Sequence, residues 1–433
     1  MKTKLERVAE RASQRPRQRF NNLAHILDDY FMNETWLLLN RRAASGVDRE
    51  TAEDYAEKFT ERVMDLLDRV KGGRYLAPPV RRVYIEKPGK PGAMRPIGIP
   101  TTEDKLLQRA VVRILEAIYE KDFLDFSYGF RPGRNQHMAL NALWKSICLG
   151  KTSYVFEADI KGYFDHINHD WMQKMLDLRV CDPIIRRLIT KWLKAGVMEN
   201  GVVVLNQTGT PQGGSISPLL SNIYLHYALD LWFEKEFKPM CKGEANLVRF
   251  ADDFVVCFQF RKEARMFSEM LHKRMAKFGL ELAPDKTRLI SFGRYAEKDA
   301  AEVGKRPETF DFLGFTHVCE TTRHGKYMVA RIPTKKSLGK FRARVHQWLR
   351  TNMHKSPRLQ QRKLTEMLNG YYQYFSIYGS LPKLKLILDE VERMWWWVLN
   401  RRSQRSRLTW AELRTKTWFK LPAPPAKLLH PAG

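Results

Sequence analysis

The sequence predicts an α+β protein, and three observations carry that expectation. Residues 154–160 form an apolar run that closes on a carboxylate, Asp159. Residues 247–258 are two apolar runs folded about Ala-Asp-Asp, the pattern of a β-hairpin. Apolar residues then recur at helical spacing near 169–178, 209–229 and 267–279. The resulting order of strand, helix, hairpin and helix predicts an antiparallel sheet layered with helices.

The chain has 433 residues, more than one compact unit of about 100–200 residues, so two or three packed regions are expected. Residues 23–39 and 51–70 read as helices on either side of the turn-prone ASGVD at 44–48, giving a helical region over 1–75. Residues 80–99 read as two strands about the turn KPGKPGAM, with two helical segments before the loop YGFRPGRN at 128–135. A glycine-rich loop opens the segment at 209–229, and Gly279 is placed to stop the helix before it. The sheet-bearing region is therefore taken as 76–330. Beyond about residue 335 the pattern turns helical and basic, so 331–433 is taken as a separate α-helical region.

The formal charge of +27 exceeds what solubility requires and points to phosphates as the partner surface. No apolar run approaches the roughly 20 residues of a membrane span. The first twenty residues lack the apolar stretch of a signal peptide, so a cytoplasmic, nucleoid-associated protein is expected. The five cysteines, at 148, 181, 241, 257 and 319, are scattered and show no Cys-x-x-Cys pair, as expected for reduced, mostly buried thiols. A zinc-supported endonuclease appendix would carry paired ligands.

The chemistry centres on the aspartates. Asp252 and Asp253 in VRFADDFVV would sit at a hairpin tip; alone, such a dipeptide is an ordinary aspartate-rich turn. Asp159, ending FEAD, would meet that tip across the sheet. Three converging carboxylates raise one another's pKa, and bound magnesium is their natural complement. Two ions about 4 Å apart would activate a primer hydroxyl and stabilise departing pyrophosphate, with manganese able to substitute for magnesium.

FEADIKGYFDHI, GTPQGGSISPLLSNIYLH, RFADDFVV, LAPDKT and FDFLGF, in this order and spacing, resemble the palm motifs of group II intron-encoded reverse transcriptases. RPIGIPTTEDKLLQRA, YGFRPGRN, LNGYYQYFSIYG and LNRRSQRSRLTW are similar to that family's fingers and thumb or maturase segments. The resemblance implies a right-hand polymerase, with helical and β fingers, an antiparallel palm and an α-helical thumb. It implies Asp159 and Asp252 as principal metal ligands, with Asp253 beside them and the Ile160 carbonyl as an additional ligand. Phe164 matches the steric gate that excludes a 2′-hydroxyl. Lys87 and Arg95 match residues that clamp the triphosphate, Gln212 a residue near the nucleotide sugar, and Lys286 a general acid for pyrophosphate. Asp165, six residues past Asp159, is read instead as local capping or structure, outside the catalytic set. The family commonly has Tyr-Ala-Asp-Asp, whereas Phe250 here lacks the hydroxyl.

Residues 331–433 hold 22 Lys or Arg against five Asp or Glu, so +17 of the charge lies there. Aromatics at 348, 371, 372, 374, 375 and 378 would stack on bases or fill a core, and Trp395, Trp396 and Trp397 cannot all face one ligand. Arg401, Arg402, Arg405 and Arg407 are expected to contact RNA. The implied partners are an RNA template with a DNA primer, deoxynucleoside triphosphates and structured group II intron RNA. The expected activity is RNA-directed DNA synthesis with a part in splicing and mobility; the alternative is a free-standing relative used in repair or phage defence. The chain stops soon after LPAPPAKLLHP, which leaves little room for an endonuclease domain, so an endonuclease-lacking form is expected.

Overall fold

The computed structural model describes residues 2–86, 92, 94–199, 202–204, 208–210, 213–322, 324–402 and 408–430. Its strands are β1 (Val80–Glu86), β2 (Met94–Ile99), β3 (Tyr154–Asp159), β4 (Val197–Glu199), β5 (Val202–Val204), β6 (Ala245–Phe250), β7 (Asp253–Phe258), β8 (Arg288–Ser291), β9 (Phe310–Phe312), β10 (Phe315–Thr321) and β11 (Tyr327–Pro333).

The central sheet has the order β6-β7-β3-β8 and is antiparallel throughout. Side chains alternate across a pleated strand, so each strand feeds two cores. Phe156, Ala158, Phe254, Val256 and Phe258 join one core, which includes the amino-terminal helices and the helices Thr102–Tyr119 and Ser217–Leu225. Val155, Val255, Cys257 and Ile290 join the other, which continues through β9–β11 into the carboxy-terminal helices. Burial on both faces explains why β7 reads as an unbroken apolar run after Asp253. Asp159 and Asp253 continue the alternation set by Val155 and Val255, so they lie on the face toward the carboxy-terminal helices.

A second sheet, β2-β1-β4-β5, carries the amino-terminal half of the sheet region, with β1 and β2 antiparallel and β4 parallel to β1. The helical start is tied in by Arg179, whose buried guanidinium donates to the carbonyls of Ala12, Arg15, Pro16 and Gln18.

Several expectations change. One helix, Thr102–Tyr119, precedes the YGFRPGRN loop; the other, Gln136–Cys148, follows it, started by Asn135 accepting from the Met138 amide. Asp165 does not cap the next helix: Asn168 does, accepting from the Trp171 amide, and Asp165 ends a short 3-10 turn, Tyr163–Asp165. The helix expected over 267–279 starts at Arg261, and Gly279, at φ +71°, follows its end as expected. The boundary drawn at residue 330 falls within β11, part of a three-stranded sheet. Past it run the long helices Lys335–Thr351, Pro357–Phe375 and Leu381–Asn400. Among the described residues no helix is long and apolar enough to cross a membrane. All five cysteines are free; two are buried and three half-buried.

Candidate active site

Sheet register builds the site. Asp159, the last residue of β3, pairs directly with Asp253, the first of β7. Phe250 and Asp253 close the β6–β7 hairpin, leaving Ala251 and Asp252 as its two-residue loop. Ala251 takes φ +59°, the left-handed backbone that tight hairpin loops demand at their first position. The loop therefore puts Asp252 at the tip, beside the paired aspartates.

Asp159 is fixed from its other side. Its carbonyl accepts from the Ala283 amide at 2.8 Å, and Ile160, buried, bridges to Leu282. This brings the PDKT segment against the strand end, and Lys286 forms an ion pair with the Asp159 carboxylate. Burial first, then the charges of Asp159 and Asp252, push the Asp253 carboxyl up to about 8. Asp252 is also raised, by burial and by Asp159, while Arg95 and Arg249 oppose the rise. Lys286 is raised by its hydrogen bond to Asp159, so it is held firmly protonated. Among the described residues no three His, Cys, Asp or Glu side chains already converge as ligands; Asp159 instead faces Lys286. The donor set nonetheless suits a hard divalent cation: three carboxylates, two of them destabilised as anions by burial and then by their neighbours, in want of positive charge.

Asp159 and Asp253 open onto a cleft of about 600 Å³. Asp159, Asp253, Lys286 and Arg288 line one wall, and Lys336 and Lys340 of the helix Lys335–Thr351 line the other. The sequence reading passed over these two lysines, although their four-residue spacing puts them on one helical face.

Phe164 lies in the 3-10 turn just beyond β3, half-buried against the first core, with its carbonyl accepting from the Thr210 amide at 2.8 Å. The glycine loop thus abuts the proposed gate. Gly213, at φ +121°, approaches β2 so closely that a methyl group there would stand 2.4 Å from the Gly98 carbonyl oxygen. Arg95 is exposed on β2, opposite Ile85, within electrostatic reach of Asp252. Lys87, Gln212, Arg405 and Arg407 lie outside the described residues. Arg401 ends the helix Leu381–Asn400 with its guanidinium 4.1 Å from the Trp397 ring centre. Arg402 donates to the carbonyls of His354 and Lys355, so part of the run secures the turn between two helices. Tyr371, Tyr372, Phe375 and Trp395 are core residues, whereas Trp397 is exposed.

The family model described as reverse transcriptase (RNA-dependent DNA polymerase) matches residues 85–317, the segment that holds every one of these aspartates. Over 307 residues, 68% of this chain, the sequence is 34% identical to the group II intron-encoded protein LtrA of Lactococcus lactis. The chain belongs to the reverse transcriptase family, in its group II intron-encoded group. The matched stretch spans 50% of the length of the L. lactis protein. Protein YkfC of Escherichia coli is 30% identical over 331 residues, covering 67% of this chain and 81% of that one. A protein in a cob intron of Schizosaccharomyces pombe is 39% identical over 167 residues, 38% of this chain and 20% of that one.

Proposed function

We propose that this reverse transcriptase is an RNA-directed DNA polymerase of the group II intron-encoded kind, which also binds its intron RNA to assist splicing and mobility. The observation that carries the reading is the in-register pairing of Asp159 with Asp253 on a cleft that Lys336 and Lys340 also line, with Asp252 at the adjoining hairpin tip. Asp159 and Asp252 would hold magnesium, with Asp253 and the Ile160 carbonyl beside them. Bound there, a pair of such ions would supply activation of the primer hydroxyl and charge neutralisation at the leaving pyrophosphate.

The chain's own residues do the rest. Lys336 and Lys340 hold backbone phosphates of the primer–template duplex over the cleft. Arg95, with Lys87, takes the triphosphate, and Gln212 the sugar. Phe164 is the steric gate, whose ring would collide with a ribose 2′-hydroxyl and so favour deoxynucleotides. Lys286, kept protonated, directs positive charge and a proton toward the departing pyrophosphate. Arg401, with Arg402, Arg405 and Arg407, would contact phosphates of structured RNA. The test is primer extension by the purified protein on an RNA template with deoxynucleotides and magnesium. Full-length DNA that chelation abolishes is expected; its absence at every salt and metal concentration would overturn the reading.

A further inference from the structure

Two residues before Ala251, Arg249 lies in β6 with its side chain wholly inside the protein. A guanidinium has five N–H donors, and here every one is used. Nε donates to Asp230 Oδ1 at 2.8 Å, and one Nη to Asp230 Oδ2 at 2.5 Å and Ser127 Oγ at 2.7 Å. The other Nη donates to Asn222 Oδ1 at 3.1 Å and to the Ala251 carbonyl at 2.9 Å. Asp230, Asn222 and Ser127 are themselves fully buried. Asp230 closes a π-helical turn, His226–Asp230, a local widening that occurs frequently at functional sites. Asn222 also donates to the Gly129 carbonyl at 2.6 Å, so the network reaches the loop that covers the hairpin from outside.

A buried ion pair is poor evidence for stability, because well-packed apolar residues of similar volume often serve as well or better. What an apolar pair cannot supply is direction. The Ala251 carbonyl belongs to the residue forced to φ +59°, a backbone that is strained for a non-glycine residue and persists only when its surroundings impose it. One arm of the Arg249 fork ends on that carbonyl, and the next residue is Asp252.

We propose that Arg249, oriented by Asp230, is a positioning residue that fixes the loop conformation at Ala251 and so sets where Asp252 stands. The inference rests on the polymerase reading. It concerns geometry alone: Arg249 touches neither substrate nor reacting atoms, and it acts through the loop.

The test uses two variants of the full chain. Arg249→Met/Asp230→Leu removes both charges together and leaves neither partner buried alone; Arg249→Lys keeps a charge opposite Asp230 with only three donors and no planar fork. Amide exchange over residues 245–258 is measured in metal-free protein, alongside melting, primer–template affinity and single-nucleotide incorporation. In the double variant the protein still melts cooperatively and binds primer–template as wild type. Its hairpin amides exchange faster, and kcat falls by about tenfold or more, since displacements of about 1 Å cost reactions of this kind up to 100-fold. Arg249→Lys shows the same pattern to a smaller degree, and it carries the test if the double variant does not fold. Wild-type exchange together with wild-type kcat in a folded variant overturns the proposal. If the wild-type protein made no DNA, the polymerase reading would fail, and the exchange comparison would still decide the role of Arg249.

Discussion

A methyl group added at Gly129 would stand 2.2 Å from the Ala251 amide nitrogen and 2.9 Å from the Phe250 carbonyl carbon. Both are backbone atoms of the hairpin that carries Asp252, so no side-chain rotation relieves the clash. Parting the two segments from 2.2 Å to ordinary contact at 3.4 Å requires a shift of about 1.2 Å. The covering loop is itself held: the Tyr128 amide donates to the Arg249 carbonyl at 2.8 Å, and Arg131 donates to the Ser127 and Leu124 carbonyls. The hairpin must therefore take much of the movement. Gly129 has no positive φ, so alanine there tests the clash and not the backbone conformation. Gly129→Ala should lower single-turnover incorporation by about 100-fold, the scale for a 1 Å misplacement, and lower stability by about 1–3 kcal/mol, as overpacking does. Rapid-quench extension at saturating deoxynucleotide, paired with denaturant unfolding, measures both. A folded variant with the wild-type rate would refute the claim that this contact locates the hairpin.

Phe164→Ala should raise ribonucleotide use relative to deoxynucleotide; competition extension with matched nucleotides reads the ratio, and an unchanged ratio moves the gate elsewhere. Gly339 and Gly370 lie in helix interiors with open space around a β-carbon and no positive φ. Alanine at either should stabilise the RNA-free protein by about 0.5–1 kcal/mol, measured by denaturant unfolding. In metal-free protein, Asp253 holds its proton to about pH 8, whereas the unfolded chain releases it near 3.9. Its contribution to stability is thus complete below the unfolded value and is lost as pH rises toward 8. The melting temperature of metal-free protein should fall between pH 5 and 8 by an amount that Asp253→Asn reduces; equal slopes in the two proteins would contradict this.

The strands of the central sheet were legible because their apolar residues occupy both faces and break at the aspartates, leaving a hairpin loop with nothing to hide it. The convergence of Asp159 with Asp253 was legible only through the motif order, since pairing register is a long-range property. The site's supports were harder to read. Arg249 reads as an ordinary charge in a strand until Asp230, nineteen residues earlier, is seen buried against it. Lys336 and Lys340 belong to a helix whose spacing was visible, but their place across the cleft depends on a core shared between sheet and helices. The β10–β11 hairpin went unread although FTHVCET alternates as a half-buried strand does and YMVARIP is mostly apolar. Arg402 shows what a charge run conceals: besides any RNA contact, one arm of its guanidinium donates to the carbonyls of His354 and Lys355 and secures the turn between two helices.

The most direct test of the three-aspartate site is replacement of Asp159 and Asp252, singly, by asparagine, which keeps side-chain volume and removes the charge that a divalent cation requires. Single-turnover DNA synthesis on an RNA template should be lost in each variant, with melting temperature and primer–template affinity kept. Extension at the wild-type rate by either folded variant would mean that the chemistry resides elsewhere in the chain.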